Sequence, residues 1–333
     1  MIVVTGGAGC IGSALVWGLN RRGSDDILIV DRLGEDDKWR NLVGLRFADY
    51  LDKGDFIARL EGGAFKNGIS AILHLGACSS TLERDAGYLI ENNYRYTARL
   101  AAWREKHPSC RFIYASSAAT YGDGSQGYAD DHDRLRDLRP LNMYGYSKHL
   151  FDLLALRKGW LSQCVGLKYF NVYGPNEDHK GAMRSVVHKA YATVRDAGVM
   201  RLFKSYRAEY GDGEQCRDFL YVKDAVELTL FFLEHPKVNG IFNVGAGKAR
   251  TWNEVARALF DAAGKPPKIE YIPMPEELRG KYQYHTCADM TKLRSAGCGH
   301  QCMTLEEGVR DYVRGYLAVG RRLGITTDQG ASF

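Results

Sequence analysis

The sequence predicts an α/β protein in which a doubly wound parallel sheet carries a smaller mixed α/β lobe. Two observations predict this class. Short apolar runs alternate with stretches of helical spacing through the first half of the chain, and a glycine-rich turn directly follows the first run. The length of 333 residues is that of about two average domains.

The elements of the sheet follow in chain order. Apolar runs predict buried parallel strands at Ile2–Val4, Ile27–Val30, Ala71–Leu75, Phe112–Ala115, Val165–Phe170 and Ile241–Val244. Apolar residues recur at helical spacing between the first four runs and predict helices at Ser13–Arg22, Asp55–Leu60 and Tyr88–Glu105. Because parallel strands require crossover connections, this alternation favours a βαβ arrangement.

The smaller lobe is predicted from the segments that fit a sheet poorly. Residues 173–217 contain few apolar runs and many charged and glycine residues, and four prolines interrupt the C-terminal third. We therefore predict that residues 1–172 and 218–244 form the sheet domain and that residues 173–217 and 245–333 form the smaller lobe.

Composition excludes several classes of protein. Hydrophobic residues at 45% and charged residues at 26% are globular averages, which argues against a disordered chain. A net charge of +5 is too small to indicate a nucleic-acid partner, and no apolar run reaches the length of about 18 residues that a membrane helix needs. Since the N-terminus lacks a basic segment and becomes glycine-rich at once, we expect no signal peptide and a cytoplasmic location.

The eight cysteines are scattered along the chain, which favours buried thiols in a reducing compartment over a disulfide framework. Only Cys298 and Cys302 have a spacing typical of metal ligands. A structural zinc site usually draws about four ligands from two such clusters, and the sequence has no second one, so we expect no metal.

The segment from Thr5 to Gly12, with the sequence TGGAGCIG, lies between the first strand and the first helix. This order is typical of a Rossmann-type dinucleotide site, where glycines let the backbone approach a pyrophosphate that the helix N-terminus binds. Asp31 ends the second strand, where a carboxylate would bond a ribose hydroxyl. The alternative, a glycine-rich turn without a ligand, is disfavoured by this context.

Two cations close to Asp31 bear on the choice of cofactor. Arg32 and Lys38 would neutralise a 2′-phosphate, which favours NADP. Glu35, Asp36 and Asp37 balance these charges locally, so NAD and an ordinary solvated loop remain alternatives.

A second motif supplies acid/base chemistry. Tyr144 and Lys148 are one helical turn apart, so that an ammonium beside the phenol, with a nicotinamide cation above it, would favour phenolate and lower the pKa of Tyr144. Tyr146 has no cation at the same offset and is the weaker candidate. Ser117, at the end of the fourth strand, would hydrogen-bond a substrate oxygen. The alternative is that Tyr144 and Lys148 are two neighbouring side chains on the surface of a helix, without a catalytic role.

Together these motifs and the segment Asn171–Pro175 (NVYGP) resemble the extended short-chain dehydrogenase/reductases, the group of nucleotide-sugar epimerases and dehydratases, over nearly the whole chain. A narrower resemblance is to the ADP-heptose 6-epimerase branch of that group. It rests on the segments Gly76–Thr81, Ala115–Gly122, His179–Gly181 and Gly280–Gln283.

The resemblance implies an intramolecular redox cycle on an ADP-heptose, in which C6 of the sugar gives a hydride to tightly bound NADP⁺ and receives it back on the opposite face. It further implies a role in making a precursor of the lipopolysaccharide core and a ring of five subunits. Such an inversion benefits from two acid/base groups, because one fixed group cannot readily serve both faces of one carbon.

The resemblance also assigns residues to roles. The catalytic group would be Tyr144, Lys180, Ser117 and Lys148. The cofactor would be bound by Gly6, Gly9, Cys10, Ile11, Gly12, Asp31, Arg32, Lys38, Lys53, Leu75, Gly76, Ala77, Cys78, Ser79, Asn92, Lys148, Val172 and Lys180. The sugar nucleotide would be bound by Ser117, Asn171, Ala182, His188, Lys189, Phe203, Lys204, Ser205, Tyr206, Arg217 and Tyr282.

Several of these assignments have alternatives. Lys180 would otherwise be a solvated loop cation, and Arg217 would pair with the neighbouring Asp218 instead of a diphosphate. The chain departs from the pattern of the group at Cys10, Arg32 and Ala182, which bears on sugar specificity.

Two other functions compete with the heptose epimerase. A 4-epimerase or 4,6-dehydratase of UDP- or dTDP-sugars uses the same fold, but dehydratases typically have an acidic pair where Ala118 and Ala119 follow Ser117. A nucleotide-sensing module without turnover would be expected to lose Tyr144 or Lys148, and both are present.

Overall fold

The computed structural model describes residues 1–65, 68–279 and 282–325. Its main sheet has seven parallel strands in the order β10-β6-β5-β4-β1-β2-β3. The strands of the chain are β1 Ile2–Thr5, β2 Ile27–Asp31, β3 Asp49–Asp52, β4 Ala71–His74, β5 Arg111–Ser117, β6 Val165–Tyr169, β7 Asn171–Tyr173, β8 Met200–Phe203, β9 Cys216–Tyr221, β10 Gly240–Val244, β11 Ala249–Thr251 and β12 Ile269–Ile272. The predicted doubly wound α/β fold is confirmed.

Helices connect these strands. They are α1 Cys10–Arg21, α2 Lys53–Glu61, α3 Ala86–Leu89, α4 Tyr96–Glu105, α5 Met143–Arg157, α6 Val186–Ala197, α7 Val222–Glu234, α8 Trp252–Ala263, α9 Glu276–Arg279, α10 Thr291–Ser295 and α11 Leu305–Gly315. A π-helical stretch over Ile90–Arg95 joins α3 to α4. None of the helices within the described ranges is long and apolar enough to cross a lipid bilayer.

The smaller sheets lie outside the main one. Strand β9 pairs with β7 in parallel and with β11 in antiparallel orientation, and β8 pairs in parallel with β12. Helices α6 and α8 pack against each other and against β8, and α8 also packs on α11. The division of the chain into residues 1–172 plus 218–244 and 173–217 plus 245–333 stays a prediction.

The sequence patterns missed β3 and merged two strands. Strand β3 has the sequence DYLD, and only Leu51 is buried, because the strand lies at the edge of the sheet where polar residues remain solvated. The apolar run at Val165–Phe170 ends as a main-sheet strand at Tyr169, and the chain then enters β7 of a different sheet.

The main sheet lies in the buried core of the protein, since every residue of β4, β6 and β10 is buried. The sheet also buries an ion pair between Lys168 on β6 and Asp152 on α5, 2.9 Å apart. Asp152 accepts further hydrogen bonds from Tyr114 and Ser116 on β5, which satisfies its charge. These contacts fix α5 against the carboxyl ends of β5 and β6, where parallel sheets bind ligands.

Candidate active site

The glycine turn between β1 and α1 has no room for side chains. A Cβ on Gly12 would lie 2.0 Å from the main-chain oxygen of Gly6, and Gly6 itself has a φ of +67°. Because only glycine fits both positions, the turn stays tight and the N–H groups at the start of α1 stay accessible. The turn lines a cavity of about 460 Å³.

The carboxylate of Asp31 lies at one end of this cavity. Its Oδ2 accepts a hydrogen bond of 2.9 Å from the N–H of Ala8 in the glycine turn, and its Oδ1 accepts one of 3.0 Å from Lys38 Nζ. A smaller cavity of about 140 Å³ continues past Asp31. It is lined by Arg32, Lys38, Lys53 and Asn92, among others. Lys53 donates a hydrogen bond to Asn92, and burial lowers the pKa of Lys53.

The segment after β4 forms the next wall of the large cavity, with Leu75, Gly76, Ala77, Cys78 and Ser79. It is held from behind by Asn93 in the π-helical stretch. The side chain of Asn93 accepts from the N–H of Cys78 at 2.8 Å, donates to its carbonyl at 2.9 Å, and donates to Ser147 Oγ at 3.0 Å. Asn93 therefore joins this wall of the cavity to α5.

Tyr144 and Ser117 face the same cavity from α5 and from the end of β5. Burial raises the pKa of Tyr144, and a side-chain hydrogen bond with Ser117 opposes this shift. Loss of hydration is the largest of these effects on the phenol. That Lys148 and a bound nicotinamide together lower the pKa of Tyr144 stays a prediction. Tyr146 is exposed, which removes it as a candidate.

Lys148 is buried one turn further along α5. Its Nζ donates a hydrogen bond of 2.8 Å to the main-chain oxygen of Ala115, and burial lowers the pKa of Lys148 to about 8, while the charge of Asp152 opposes this. A lysine that loses its proton this readily can exchange protons at neutral to mildly basic pH.

The segment that carries Lys180 is a 3-10 helix at Asp178–Met183. It lies against the glycine turn. Asn176 donates to Ser13 Oγ at 2.9 Å, and Cys10 Sγ lies 3.6 Å from the carbonyl oxygen of Pro175. Burial raises the pKa of the Cys10 thiol to about 12, so Cys10 remains protonated at neutral pH. Lys180, Val172 and Ile11 all line the large cavity.

The side chain of Arg217 on β9 lies next to aromatic rings. Its guanidinium lies 5.0 Å from the ring centre of Tyr282 and 5.9 Å from that of Trp252. The alternative pairing with Asp218 is wrong. Asp218 instead accepts hydrogen bonds from the N–H groups of Ala246, Gly247 and Ala288. Arg217 is a buried cation whose hydrogen bond, within the described ranges, goes to the main-chain oxygen of Cys216 at 2.8 Å and not to a carboxylate.

The structure does not bring all of the residues assigned to the sugar nucleotide together in the large cavity. Ala182 and Lys189 are exposed, and His188 Nε2 lies 3.0 Å from Asp178 Oδ1. None of these three assigned residues is in the described lining of the large cavity, which contains the nearby His179 and Met183. Asn171 is exposed at the start of β7. The segment Phe203–Tyr206 follows β8, and the Phe203 ring contacts Tyr282 edge-on at 6.5 Å.

The chain is similar to known proteins in sequence and in fold. Residues 2–245 match the model of the NAD dependent epimerase/dehydratase family. The chain belongs to this family. An ADP-L-glycero-D-manno-heptose-6-epimerase of Nitratidesulfovibrio vulgaris is 56% identical over 318 residues, which are 96% of this chain and 98% of that protein. One of Fusobacterium nucleatum is 48% identical over 330 residues, with the same shares.

Two solved structures are also similar. The Helicobacter pylori ADP-L-glycero-D-manno-heptose-6-epimerase superposes with a TM-score of 0.78 at 28% identity, over 94% of this chain and 95% of that one. The Thermus thermophilus UDP-glucose 4-epimerase in complex with NAD gives a TM-score of 0.73 at 28% identity, over 94% and 97%. The predicted epimerase is therefore confirmed, and its cofactor is a nicotinamide dinucleotide.

The structure also places near the site several residues that the sequence patterns missed. Asn93 and Glu177 are buried polar residues behind the cavity wall, and Asn41 donates to the carbonyls of Ala8 and Asn176. In the sequence, Asn93, Glu177 and Asn41 are single polar residues that belong to no recognisable motif. The motif residues Gly280 and Lys281 lie outside the described residues, as does the tail from Asp328 to Phe333.

Of the two C-terminal cysteines with metal-like spacing, Cys302 lies close to two other side chains that can ligate a metal. Ligand atoms of His300, Cys302 and Asp224 lie within 4.8 Å of one another. Asp224 already accepts hydrogen bonds from His300 Nε2 at 2.8 Å and from the N–H of Met303 at 3.0 Å. These bonds give Asp224 a structural role at the start of α7.

Proposed function

We propose that the chain inverts C6 of the heptose in ADP-D-glycero-D-manno-heptose and gives ADP-L-glycero-D-manno-heptose, by transient oxidation with tightly bound NADP⁺. The observation that carries this proposal is the nearly full-length identity of 56% with a relative of that name. The cavity supports it, because Tyr144 and Lys180 both line it from different elements.

The chain's own residues fit the cofactor. Gly6, Gly9 and Gly12 leave the backbone room for a pyrophosphate, and Asp31 ends β2 beside the glycine turn, where a carboxylate would bond a ribose hydroxyl. Arg32 and Lys38 supply positive charge at the same end, which supports NADP over NAD. When bound, a nicotinamide dinucleotide accepts a hydride from a sugar carbon and returns it.

Tyr144 and Lys180 would move the protons of the reaction. As C6 loses its hydride, one of them takes the proton of the C6 hydroxyl. When the hydride returns to the opposite face of the carbonyl, the other gives a proton to the carbonyl oxygen. Ser117 would orient this oxygen through its hydroxyl. Because burial raises the pKa of Tyr144, the positive charges of Lys148 and of an oxidised nicotinamide are needed to favour its phenolate.

Arg217 and its aromatic neighbours would bind the nucleotide part. A buried guanidinium that is not paired with a carboxylate in the described ranges suits a diphosphate, whose oxygens match its planar donors. The aromatic rings of Tyr282 and Trp252 lie next to the guanidinium and position it through cation–π contacts. The nearby segment Phe203–Tyr206 supplies further contacts to the sugar nucleotide.

The competing function is a 4-epimerase of UDP-sugars, since the Thermus thermophilus UDP-glucose 4-epimerase has the same fold at 28% identity. One experiment separates the two. Purified protein is incubated with each C6 epimer of ADP-heptose and, in parallel, with UDP-galactose, and the product stereochemistry is determined. We expect interconversion of the heptose epimers without net change of the cofactor. Unchanged heptose beside converted UDP-galactose would favour the competing function.

The setting of this reaction also rests on the resemblance. We infer that the enzyme works in the cytoplasm, supplies a precursor of the lipopolysaccharide core, and assembles from five copies of the chain. ADP-heptose is its proposed small-molecule partner, with neither nucleic acid nor membrane involved. Light scattering of the purified protein tests the pentamer.

A further inference from the structure

Glu177 lies directly before the 3-10 helix that carries Lys180 and is fully buried. Its carboxylate accepts two hydrogen bonds from Ser185, one of 2.6 Å from the N–H and one of 2.6 Å from Oγ. It accepts a third, of 3.1 Å, from the hydroxyl of Tyr312 on α11. Glu177 thus connects the Lys180 segment to the start of α6 and to α11.

A buried carboxylate is costly unless its charge is compensated. The three hydrogen-bond donors are neutral, and the cation at ion-pair distance is Lys180, whose Nζ lies 3.8 Å from Glu177 Oε2. This distance gives Coulomb attraction without a hydrogen bond. The three N–H donors of the Lys180 ammonium therefore remain available to the cavity.

The other acidic residue of the segment has different partners. Asp178 lies 3.0 Å from His188 Nε2 and 3.3 Å from Arg322, and these interactions lower the pKa of Asp178. Because Asp178 is compensated by these two side chains, Glu177 is the carboxylate that the geometry assigns to Lys180.

We propose that Glu177 is a positioning residue that holds the Lys180 side chain at the substrate cavity through its buried carboxylate. This inference rests on the proposed function, in which Lys180 is the second acid/base group. Glu177 does not touch the reacting atoms. It fixes where the Lys180 ammonium lies while its hydrogen bonds to Ser185 and Tyr312 keep the carboxylate itself in place.

The test is a double-mutant cycle of epimerisation rates with Glu177→Gln, Lys180→Met and both together. We expect Glu177→Gln to lower kcat by about tenfold to a hundredfold, with KM and cofactor affinity changed less than about threefold. In the Lys180→Met background the same substitution should have almost no further effect, because the contact it removes is already lost. Asp178→Asn is the matched control and should keep kcat within about threefold.

The outcomes are distinguishable. Equal and additive losses in both backgrounds would make Glu177 a purely structural residue and overturn the inference. Full activity of Lys180→Met would instead remove Lys180 from the mechanism and refute that part of the proposed function. If Glu177→Gln fails to fold, Tyr312→Phe replaces it in the cycle. That variant removes one hydrogen bond to the carboxylate, so we expect a smaller loss of kcat with the same dependence on Lys180, and additive losses would again overturn the inference.

Discussion

Lys148 Nζ donates a hydrogen bond of 2.8 Å to the main-chain oxygen of Ala115. This bond joins the middle of α5 to the end of β5, shortly before Ser117. The side chains of Tyr144 and Ser117 are therefore held on elements that cannot move independently. Such rigid support of reacting groups is what catalysis by positioned acids and bases requires.

Replacing Tyr144 with phenylalanine removes the phenol and keeps the ring. If Tyr144 transfers a proton at the C6 oxygen, Tyr144→Phe should lower kcat by about a hundredfold to ten-thousandfold and leave cofactor affinity unchanged. Rates of C6 inversion and titration of the cofactor by fluorescence measure both quantities. Tyr146→Phe on the same helix is the matched control, because Tyr146 is exposed. Equal rates in the two variants would exclude Tyr144 as an acid/base group.

The parts of the site that the sequence predicted are those in which local spacing determines position. The glycine turn must follow β1 and precede α1, and Tyr144 and Lys148 share a helix face at any tertiary arrangement. Six of the seven strands of the main sheet were also predicted, since buried parallel strands are continuous apolar runs. The seventh, β3, escaped because an edge strand is polar.

The parts that the sequence did not predict depend on contacts between distant segments. Glu177 meets Tyr312 across 135 positions of the chain, and neither residue lies in a recognisable pattern. The rise that burial causes in the pKa of Tyr144 was not predicted, because spacing reveals a neighbouring charge but not the extent of burial. Arg217 and Asp218 are adjacent in sequence, yet successive residues of a strand point to opposite faces, and this separates their side chains.

Arg217→Lys tests the proposed nucleotide contact. Lysine keeps the charge but lacks the planar fork that pairs with two phosphate oxygens, so KM for ADP-heptose should rise by about tenfold, with kcat changed little. Arg250→Lys is the matched control. Arg250 lies opposite Arg217 on β11, but its guanidinium is occupied by Glu254 and Glu306. The same rise of KM in both variants would contradict the assignment.

Arg32→Ser tests the choice of cofactor. Lys38 already forms an ion pair with Asp31 and Lys53 donates a hydrogen bond to Asn92, whereas the exposed Arg32 is available to meet a 2′-phosphate at the small cavity. We expect the substitution to weaken NADP binding by about tenfold and to leave NAD binding nearly unchanged. Calorimetric titration with both cofactors measures this difference. Arg40→Ser, at an exposed arginine paired with Asp37, serves as control. A parallel loss of NADP and NAD affinity would show that Arg32 does not discriminate between them.

His74 gives a prediction for stability against pH. Thr97 donates its hydroxyl proton to the carbonyl of Asn93, so His74 Nε2 donates to Thr97 and His74 Nδ1 accepts from Thr5. This neutral form is fixed inside the protein, and burial lowers the pKa of His74 from 6.5 to about 3.

Below a pH of about 6.5 the unfolded chain binds a proton at this histidine that the folded chain does not. The contribution of His74 to the free energy of unfolding is therefore complete above that pH and falls by about 1.4 kcal/mol for each further pH unit toward the folded value. His74→Gln lacks this titration. Urea unfolding of the cofactor-free protein should show the stability difference between wild type and His74→Gln shrinking by about 2 kcal/mol between pH 6.5 and 5. A difference that stays constant over this range would mean that His74 takes up its proton equally well in the folded protein, and the buried neutral histidine would have to be abandoned.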